Sequence, residues 1–219
     1  MVGAMAHDVI LLHGLWMPGI VMSPLASRLA GRGFRTHVFE YASRAKPIGI
    51  HAERLARFAR EAAGGGPVHF VGHSLGGLVV LAALAGSHAP ATAGVVLLGT
   101  PVRGCMAGRR LARAAPGRWM LGESVPLWKE GRIARWDPQS HDGAPLGVVA
   151  GSTPIGLARV LGRLPGVNDG VVRLEETEVD GMAERIVLPV GHTELIFSAR
   201  VAAQTAQFLR HGRFSHDAP

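Results

Sequence analysis

Ser74 has a glycine two positions before it and another two positions after it. It is the side chain in this sequence best suited to nucleophilic attack. The segment Gly72-His73-Ser74-Leu75-Gly76 lies between an apolar run at residues 68–71 and a second apolar segment at residues 75–85. The first run predicts a buried strand and the second a buried helix. A sharp turn from strand to helix exposes the side chain at its apex and requires glycine where neighbouring backbone passes close. We therefore predict that Ser74 is a nucleophile that attacks a carbonyl carbon.

A serine hydroxyl needs a base to remove its proton, and the sequence contains eleven histidines. His192 is placed between the last predicted strand, residues 185–190, and the last predicted helix, residues 195–209. The carboxyl ends of parallel strands share one edge of a sheet, so we expect this imidazole beside Ser74. A neutral imidazole takes the serine proton and later returns it to the leaving group. The side chain of His73 is expected to point away from that edge.

The base in turn needs a carboxylate to orient it, and Asp169 is the predicted acid. It lies in the segment Asn168-Asp169-Gly170, which is followed by two valines. The same three residues also favour an ordinary tight turn, which leaves a structural interpretation open. The other candidates for the acid are Asp137, Asp142, Glu175 and Asp180.

Attack on a carbonyl carbon produces a negatively charged oxygen, which two preorganised backbone N–H groups must bind. The N–H of Leu75 is one candidate, because this residue follows the nucleophile at the start of a helix. The second is expected from the loop His13-Gly14-Leu15-Trp16, which follows the first predicted strand, residues 9–12. Leu15 is the preferred donor and Trp16 the less favoured one, while His13 is expected to hold the loop.

Residues 9–16, 72–77, 168–171 and 191–192 together resemble the bacterial lipase/esterase branch of the α/β-hydrolase superfamily. The resemblance spans nearly the whole chain and rests on motifs and their order. It implies a Ser-Asp-His triad, whose three positions are all filled here, and hydrolysis of carboxylic esters through an acyl-enzyme. The implied substrate is a small-molecule ester or acylglycerol. No cofactor is expected, and no ligand set for a metal is found in the sequence.

Strand-like and helix-like segments alternate along the chain, which predicts an α/β fold with a mostly parallel sheet of about six strands flanked by helices. We expect residues 1–219 to form a single domain with a small cap or lid insertion at residues 101–145. Trp119 and Trp128 lie in this insertion, and with Trp16 they are predicted to contact the substrate. The alternative is that the apolar residues of the insertion only pack against one another.

The net charge of +7 comes from 23 basic and 16 acidic residues, and the arginines are scattered without interleaved aromatics, so nucleic-acid binding is not expected. No apolar run reaches the roughly 18–20 residues that cross a bilayer, although transient contact with a lipid surface stays open. Cys105 is the one cysteine, which excludes an intrachain disulfide. The sequence has no pattern typical of a signal peptide, so a cytoplasmic location is expected, or a secreted one if a signal peptide was removed.

Two other functions fit the same pattern. An acyltransferase or thioesterase would use the same triad and differ only in the molecule that deacylates the serine. A binding protein without catalysis on the same fold would usually carry a broken triad, whereas the triad here is complete.

Overall fold

The computed structural model describes residues 7–124, 136–155 and 163–216. The strands are β1 (Asp8–Leu12), β2 (Arg35–Phe39), β3 (Val68–His73), β4 (Thr92–Leu98), β5 (Leu146–Gly151) and β6 (Glu184–Leu188). The helices are α1 (Ser23–Ala30), α2 (Ile48–Ala62), α3 (Leu75–Leu84), α4 (Met106–Leu111), α5 (Ala115–Leu121) and α6 (Ala199–His211). Short 3₁₀ helices at Gly19–Met22, Gly122–Ser124, Pro138–His141, Leu174–Thr177 and Glu194–Ile196 complete the described elements.

The six strands form one sheet in the order β2-β1-β3-β4-β5-β6, and every pair of neighbours is parallel. Strands β1, β3 and β5 are buried along their whole length, as expected for continuous apolar runs covered on both faces of a parallel sheet. The edge strand β2 is more exposed. The predicted fold class is therefore confirmed.

Helices cover both faces of this sheet, and the sheet separates the apolar core into two clusters. Helices α2 and α3 pack on one face, where Leu55 and Leu78 share a cluster with Phe70 of β3. Helices α1 and α6 pack on the other, where Leu25 and Phe208 share a cluster with Val71. The alternation of Phe70 and Val71 between the clusters follows the period of two along a strand.

Helix α6 packs against β5 at very short range. A Cβ atom on Gly147 would lie 2.6 Å from the ring of Phe208, so a side chain at this strand position would displace the ring. Glycine here lets the last helix pack close to the strand next to β6.

Within the predicted insertion at residues 101–145, the described residues form α4, α5 and two of the 3₁₀ helices. The bounds of a cap remain a prediction. No helix among residues 7–124, 136–155 and 163–216 is long and apolar enough to cross a bilayer.

The contact between α3 and the end of β1 generates the first testable prediction. A Cβ atom on Gly76 would lie 2.5 Å from the carbonyl oxygen of His13 and 2.7 Å from that of Leu12, both of them backbone atoms that cannot move aside alone. We expect Gly76→Ala to lower the free energy of unfolding by about 1–3 kcal/mol, as other overpacked sites do. Urea unfolding followed by circular dichroism measures this change.

Gly49 provides the matched control, because it also lies in a helix but a Cβ atom there would meet nothing within 4 Å. Gly49→Ala should leave stability unchanged or raise it by up to about 1 kcal/mol. Equal effects of the two substitutions would contradict the proposed close approach.

Candidate active site

Ser74 lies at the turn between β3 and α3 in a backbone conformation that non-glycine residues rarely adopt. Its φ of 53° and ψ of −121° place it in the positive-φ region, at a cost of roughly 1–3 kcal/mol that the surroundings must offset. Its N–H donates to the carbonyl of Leu98 at 2.9 Å, and its carbonyl accepts from the N–H of Gly77 at 3.1 Å. The turn predicted from the sequence is thus present, with the serine at its apex.

His192 and Asp169 meet through a buried hydrogen bond. Nδ1 of His192 lies 2.7 Å from Oδ2 of Asp169, and the carboxylate side chain is 1% exposed. The other oxygen, Oδ1, accepts from the N–H groups of Val171 at 2.9 Å and Val172 at 2.7 Å. An ionised carboxylate only accepts, so the proton lies on Nδ1 and the lone pair of the imidazole on Nε2.

The segment around Asp169 is a tight turn as well as a carboxylate support, so the two interpretations of Asn168-Asp169-Gly170 hold together. The side-chain oxygen of Asn168 accepts from the N–H of Gly170 at 3.0 Å, and its amide donates to the carbonyl of Gly166 at 2.9 Å. This turn aims the carboxylate of Asp169 at His192.

The alternative acids have other neighbours in the described structure. Glu175 pairs with Arg173, Asp180 pairs with Arg103, and Asp137 accepts from the N–H of Gln139. Asp142 follows a 3₁₀ helix in a left-handed conformation. Among the candidate acids, the structure describes a contact with His192 for Asp169.

The main chain of His192 is bonded at both ends. Its N–H donates to the carbonyl of Asp169 at 2.8 Å, and its carbonyl accepts from Nε2 of His73 at 3.0 Å. Gly99 leaves room for this arrangement. A Cβ atom there would lie 3.0 Å from Oδ2 of Asp169 and 3.1 Å from Nδ1 of His192, and its φ of 55° also favours glycine.

The two predicted oxyanion donors are both close to Ser74, Leu75 as the next residue and Leu15 in the same cavity lining. Leu75 is the first residue of α3, where backbone N–H groups have no partner within the helix. Leu15 lies in the loop after β1 and lines the same cavity as Ser74. The N–H of Trp16 donates to Oγ of Ser43 at 3.2 Å, so it is already engaged. This geometry favours Leu15 over Trp16.

His13 is held at the start of the loop after β1 by contacts with Tyr41 and Gly14. Its ring stacks on Tyr41 at 4.4 Å, and its Nδ1 donates to the carbonyl of Gly14 at 2.9 Å. The hydroxyl of Tyr41 donates to the carbonyl of His13 at 2.8 Å. Burial raises the pKa of the Tyr41 hydroxyl, so this donor keeps its proton.

Ser74, His192 and the loop after β1 line one cavity of about 200 Å³. Ser74, His192, Leu15 and Trp16 lie among its polar and loop-derived walls. The rest of the lining is mostly apolar and includes Cys105, Ala107, Gly108, Leu111, Leu121, Ile155 and Val171. Ser74 and His192 therefore line one mostly apolar cavity.

Comparison with known proteins identifies the family of this chain. Residues 9–210 match the family described as the alpha/beta hydrolase family. The chain belongs to this family. No curated protein matches it significantly.

Solved structures with the same fold include several hydrolases. The mature lipase BlEst2 of Bacillus licheniformis superposes with a TM-score of 0.73 at 17% identity, over 94% of this chain and 91% of the lipase. A pyrethroid hydrolase from Sphingobium faniae JZ-2 gives 0.62 at 16% identity, over 94% and 98% of the two chains. The carboxylesterase CesB of Bacillus subtilis gives 0.59 at 14% identity, over 95% and 85%. At these identities the neighbours show that this chain shares their fold.

The three tryptophans predicted to contact substrate lie in different surroundings. Trp16 lines the cavity, and its indole N–H donates to the carbonyl of Met120 at 2.7 Å. Trp119 is 73% exposed and packs against the guanidinium of Arg44 at 4.8 Å, outside the lining of the cavity. A substrate contact by Trp119 stays a prediction. Trp128 lies outside the described residues.

The expectation for His73 was wrong. Its ring does not point away from the site but lies 4.8 Å from the ring of His192 and lines the cavity. The alternation of side chains along β3 could have indicated the face of the sheet on which His73 lies. Its partner is a backbone carbonyl, however, and such a contact leaves no trace in residue types.

Cys105 is the second cavity residue whose place the sequence did not indicate. Its thiol donates to the carbonyl of Val171 at 3.7 Å and accepts from the N–H of Gly108 at 3.4 Å. Burial raises its pKa to about 12, so it stays a neutral thiol. Among the described residues, no group of three or more histidine, cysteine or acidic side chains is placed to hold a metal ion.

Two buried histidines in β3 make stability sensitive to acid. Burial lowers the pKa of His73 to about 3 and that of His69 to about 4, whereas an unfolded histidine titrates near 6.5. The unfolded chain therefore binds more protons below that value, so the stability present above pH 6.5 is lost as the pH falls.

We expect the free energy of unfolding to fall between about pH 6.5 and 4.5, with a limiting slope of about 1.4 kcal/mol per pH unit for each of the two groups. Urea unfolding at a series of pH values measures it. His69→Phe should lessen the slope. A stability independent of pH over this range would contradict the burial of neutral imidazoles.

Proposed function

We propose that this chain is a serine hydrolase that cleaves carboxylic esters of small molecules, with Ser74 as nucleophile, His192 as general base and Asp169 as its orienting acid. The observation that carries the proposal is the bond between His192 and Asp169 beside a cavity that Ser74 also lines. The proposed natural substrates are simple esters or acylglycerols.

In the acylation half of the proposed mechanism, Nε2 of His192 takes the proton of Ser74 as Oγ attacks the ester carbonyl carbon. The carbonyl oxygen becomes an oxyanion, which the N–H groups of Leu15 and Leu75 bind. The intermediate then collapses and the bond to the alcohol oxygen breaks. The imidazolium of His192 gives its proton to that oxygen, and the alcohol leaves.

In deacylation, His192 removes a proton from water while the water oxygen attacks the acyl carbon bonded to Ser74. The second tetrahedral intermediate collapses to a carboxylic acid, and Oγ recovers its proton from the imidazolium. Asp169 remains ionised throughout, because its role is to keep the proton on Nδ1 and to stabilise the positive charge on the ring.

The size of the cavity suggests which esters fit. An apolar cavity of about 150 Å³ admits a benzene ring, whereas pockets for drug-sized ligands begin near 300 Å³. At about 200 Å³, the chamber suits a short or medium acyl group, or one aromatic ring. We propose that residues 101–145 act as a cap whose helix α4 forms one wall through Ala107, Gly108 and Leu111.

Replacing the nucleophile tests the mechanism. We expect Ser74→Ala to lower kcat for p-nitrophenyl butyrate by on the order of 10⁴-fold or more. A fluorophosphonate probe should label the wild-type protein at Ser74, with the site located by peptide mapping, and should leave Ser74→Ala unlabelled. Ser27→Ala, an exposed position in α1, is the control and should match the wild type. Full hydrolysis by Ser74→Ala, or a wild type that neither hydrolyses nor reacts, would refute the proposal.

A chain-length series tests the cavity. We expect kcat/KM for p-nitrophenyl esters to be highest between butyrate and octanoate and to decline for laurate and palmitate. Leu111→Ala should move this optimum to longer chains, because it widens the chamber.

Met106→Ala is the matched control for that series, because Met106 lies on the same helix but outside the lining of the cavity. It should leave the profile of chain lengths in place. A profile that is flat, or that shifts equally in both variants, would show that this chamber does not bind the acyl group.

A further inference from the structure

His73 connects the turn that carries the nucleophile with the loop that carries the base. Its Nε2–H donates to the carbonyl oxygen of His192 at 3.0 Å, and the two rings lie 4.8 Å apart at an angle of 45°. The side chain is completely buried. His73 precedes Ser74 directly, so one residue spans the two loops that must meet.

The direction of this hydrogen bond is fixed by its acceptor. A carbonyl oxygen cannot donate, so the proton of the neutral ring lies on Nε2 and the lone pair on Nδ1. Burial, aided by the neighbouring His192, lowers the pKa of His73 to about 3, and the ring therefore stays neutral at the pH values where esterases are assayed. It adds no positive charge beside an imidazole that must itself become positive during catalysis.

The other nitrogen indicates that packing alone does not explain a histidine here. Nδ1 is buried and has no hydrogen-bond partner among the described residues. It faces Gly14, where an added Cβ atom would lie 3.0 Å away. An unpartnered buried acceptor costs stability, and a phenylalanine of similar shape would avoid that cost. What the histidine supplies and a phenylalanine lacks is the N–H for His192.

The geometry points to His73 as a positioning residue for the general base, an assignment that rests on the proposed function. Three bonds then fix His192: Nδ1–H to the Asp169 carboxylate, its N–H to the Asp169 carbonyl, and its carbonyl from His73. The first two join His192 to Asp169 alone. The third joins the main chain of His192 to His73, the residue directly before Ser74, and the three residues His73, Ser74 and His192 line the same cavity.

His69 offers a matched control within the same strand. It lies four residues earlier in β3, on the same face, and is also buried with a pKa lowered by burial, to about 4. Its neighbours are His7 and Phe34, at the opposite end of the strand from Ser74. Substitutions there test the general cost of altering a buried histidine.

The experiment compares His73→Phe, His73→Met and His73→Gln with His69→Phe, using p-nitrophenyl butyrate, the rate of fluorophosphonate labelling, and the Tm of each variant. Phenylalanine and methionine have no donor, whereas the amide of glutamine places an N–H near the position of Nε2. We expect His73→Phe and His73→Met to lower kcat and the labelling rate by on the order of 10- to 100-fold with little change in KM, as for a base displaced by a fraction of an ångström to one ångström.

His73→Gln should recover most of the loss, and His69→Phe should keep the wild-type kcat whatever its Tm. If His73→Phe does not fold, the contrast between methionine and glutamine decides. Wild-type kcat in a folded His73→Met, or equal losses in methionine and glutamine variants, would overturn the inference while leaving an active wild type and the proposed function intact. A wild type without hydrolysis or labelling would refute both.

Discussion

The hydrogen bond between the buried carboxylate of Asp169 and Nδ1 of His192 is the interaction on which the rest of the site depends. A carboxylate that is removed from water must have its oxygens satisfied by other groups. Here one oxygen receives two backbone N–H groups and the other receives the imidazole. The surrounding structure serves this requirement. The turn at Asn168 presents the carboxylate, and Gly99 has no side chain that would press against the pair.

The parallel sheet brings Ser74, the proposed nucleophile, to this pair. Because β1, β3 and β6 run in the same direction, the loops that follow them emerge at one edge, and they carry the proposed oxyanion donor Leu15, Ser74 and His192. The distances at that edge are set by backbone contacts more than by side chains. Gly76 lets α3 approach the end of β1, which brings the first turn of this helix close to the loop that contains Leu15.

The sequence was sufficient for the fold and for the identity of the groups that meet, because both are written in local patterns. Apolar runs mark buried strands, glycines mark the turn at Ser74, and a histidine between the last strand and the last helix can only emerge at the edge of the sheet. Contacts that leave no pattern in the local sequence could not be predicted. His73 binds a backbone carbonyl more than a hundred positions away, and the exposure of Trp119 depends on how α5 is oriented against Arg44. Aromatic content indicates an apolar surface but not its direction.

The order of the strands also bears on how the protein is made. The turn of Ser74 contacts the ends of β1 and β4, and β1, β3, β4 and α3 are all complete by residue 98, whereas His192 follows β6 and precedes α6. A ribosome therefore releases Ser74 long before His192. If the chain acts as proposed, the nascent protein has no esterase activity until its last helix docks on Gly147, and the gain of that activity during translation or refolding would mark the final docking event.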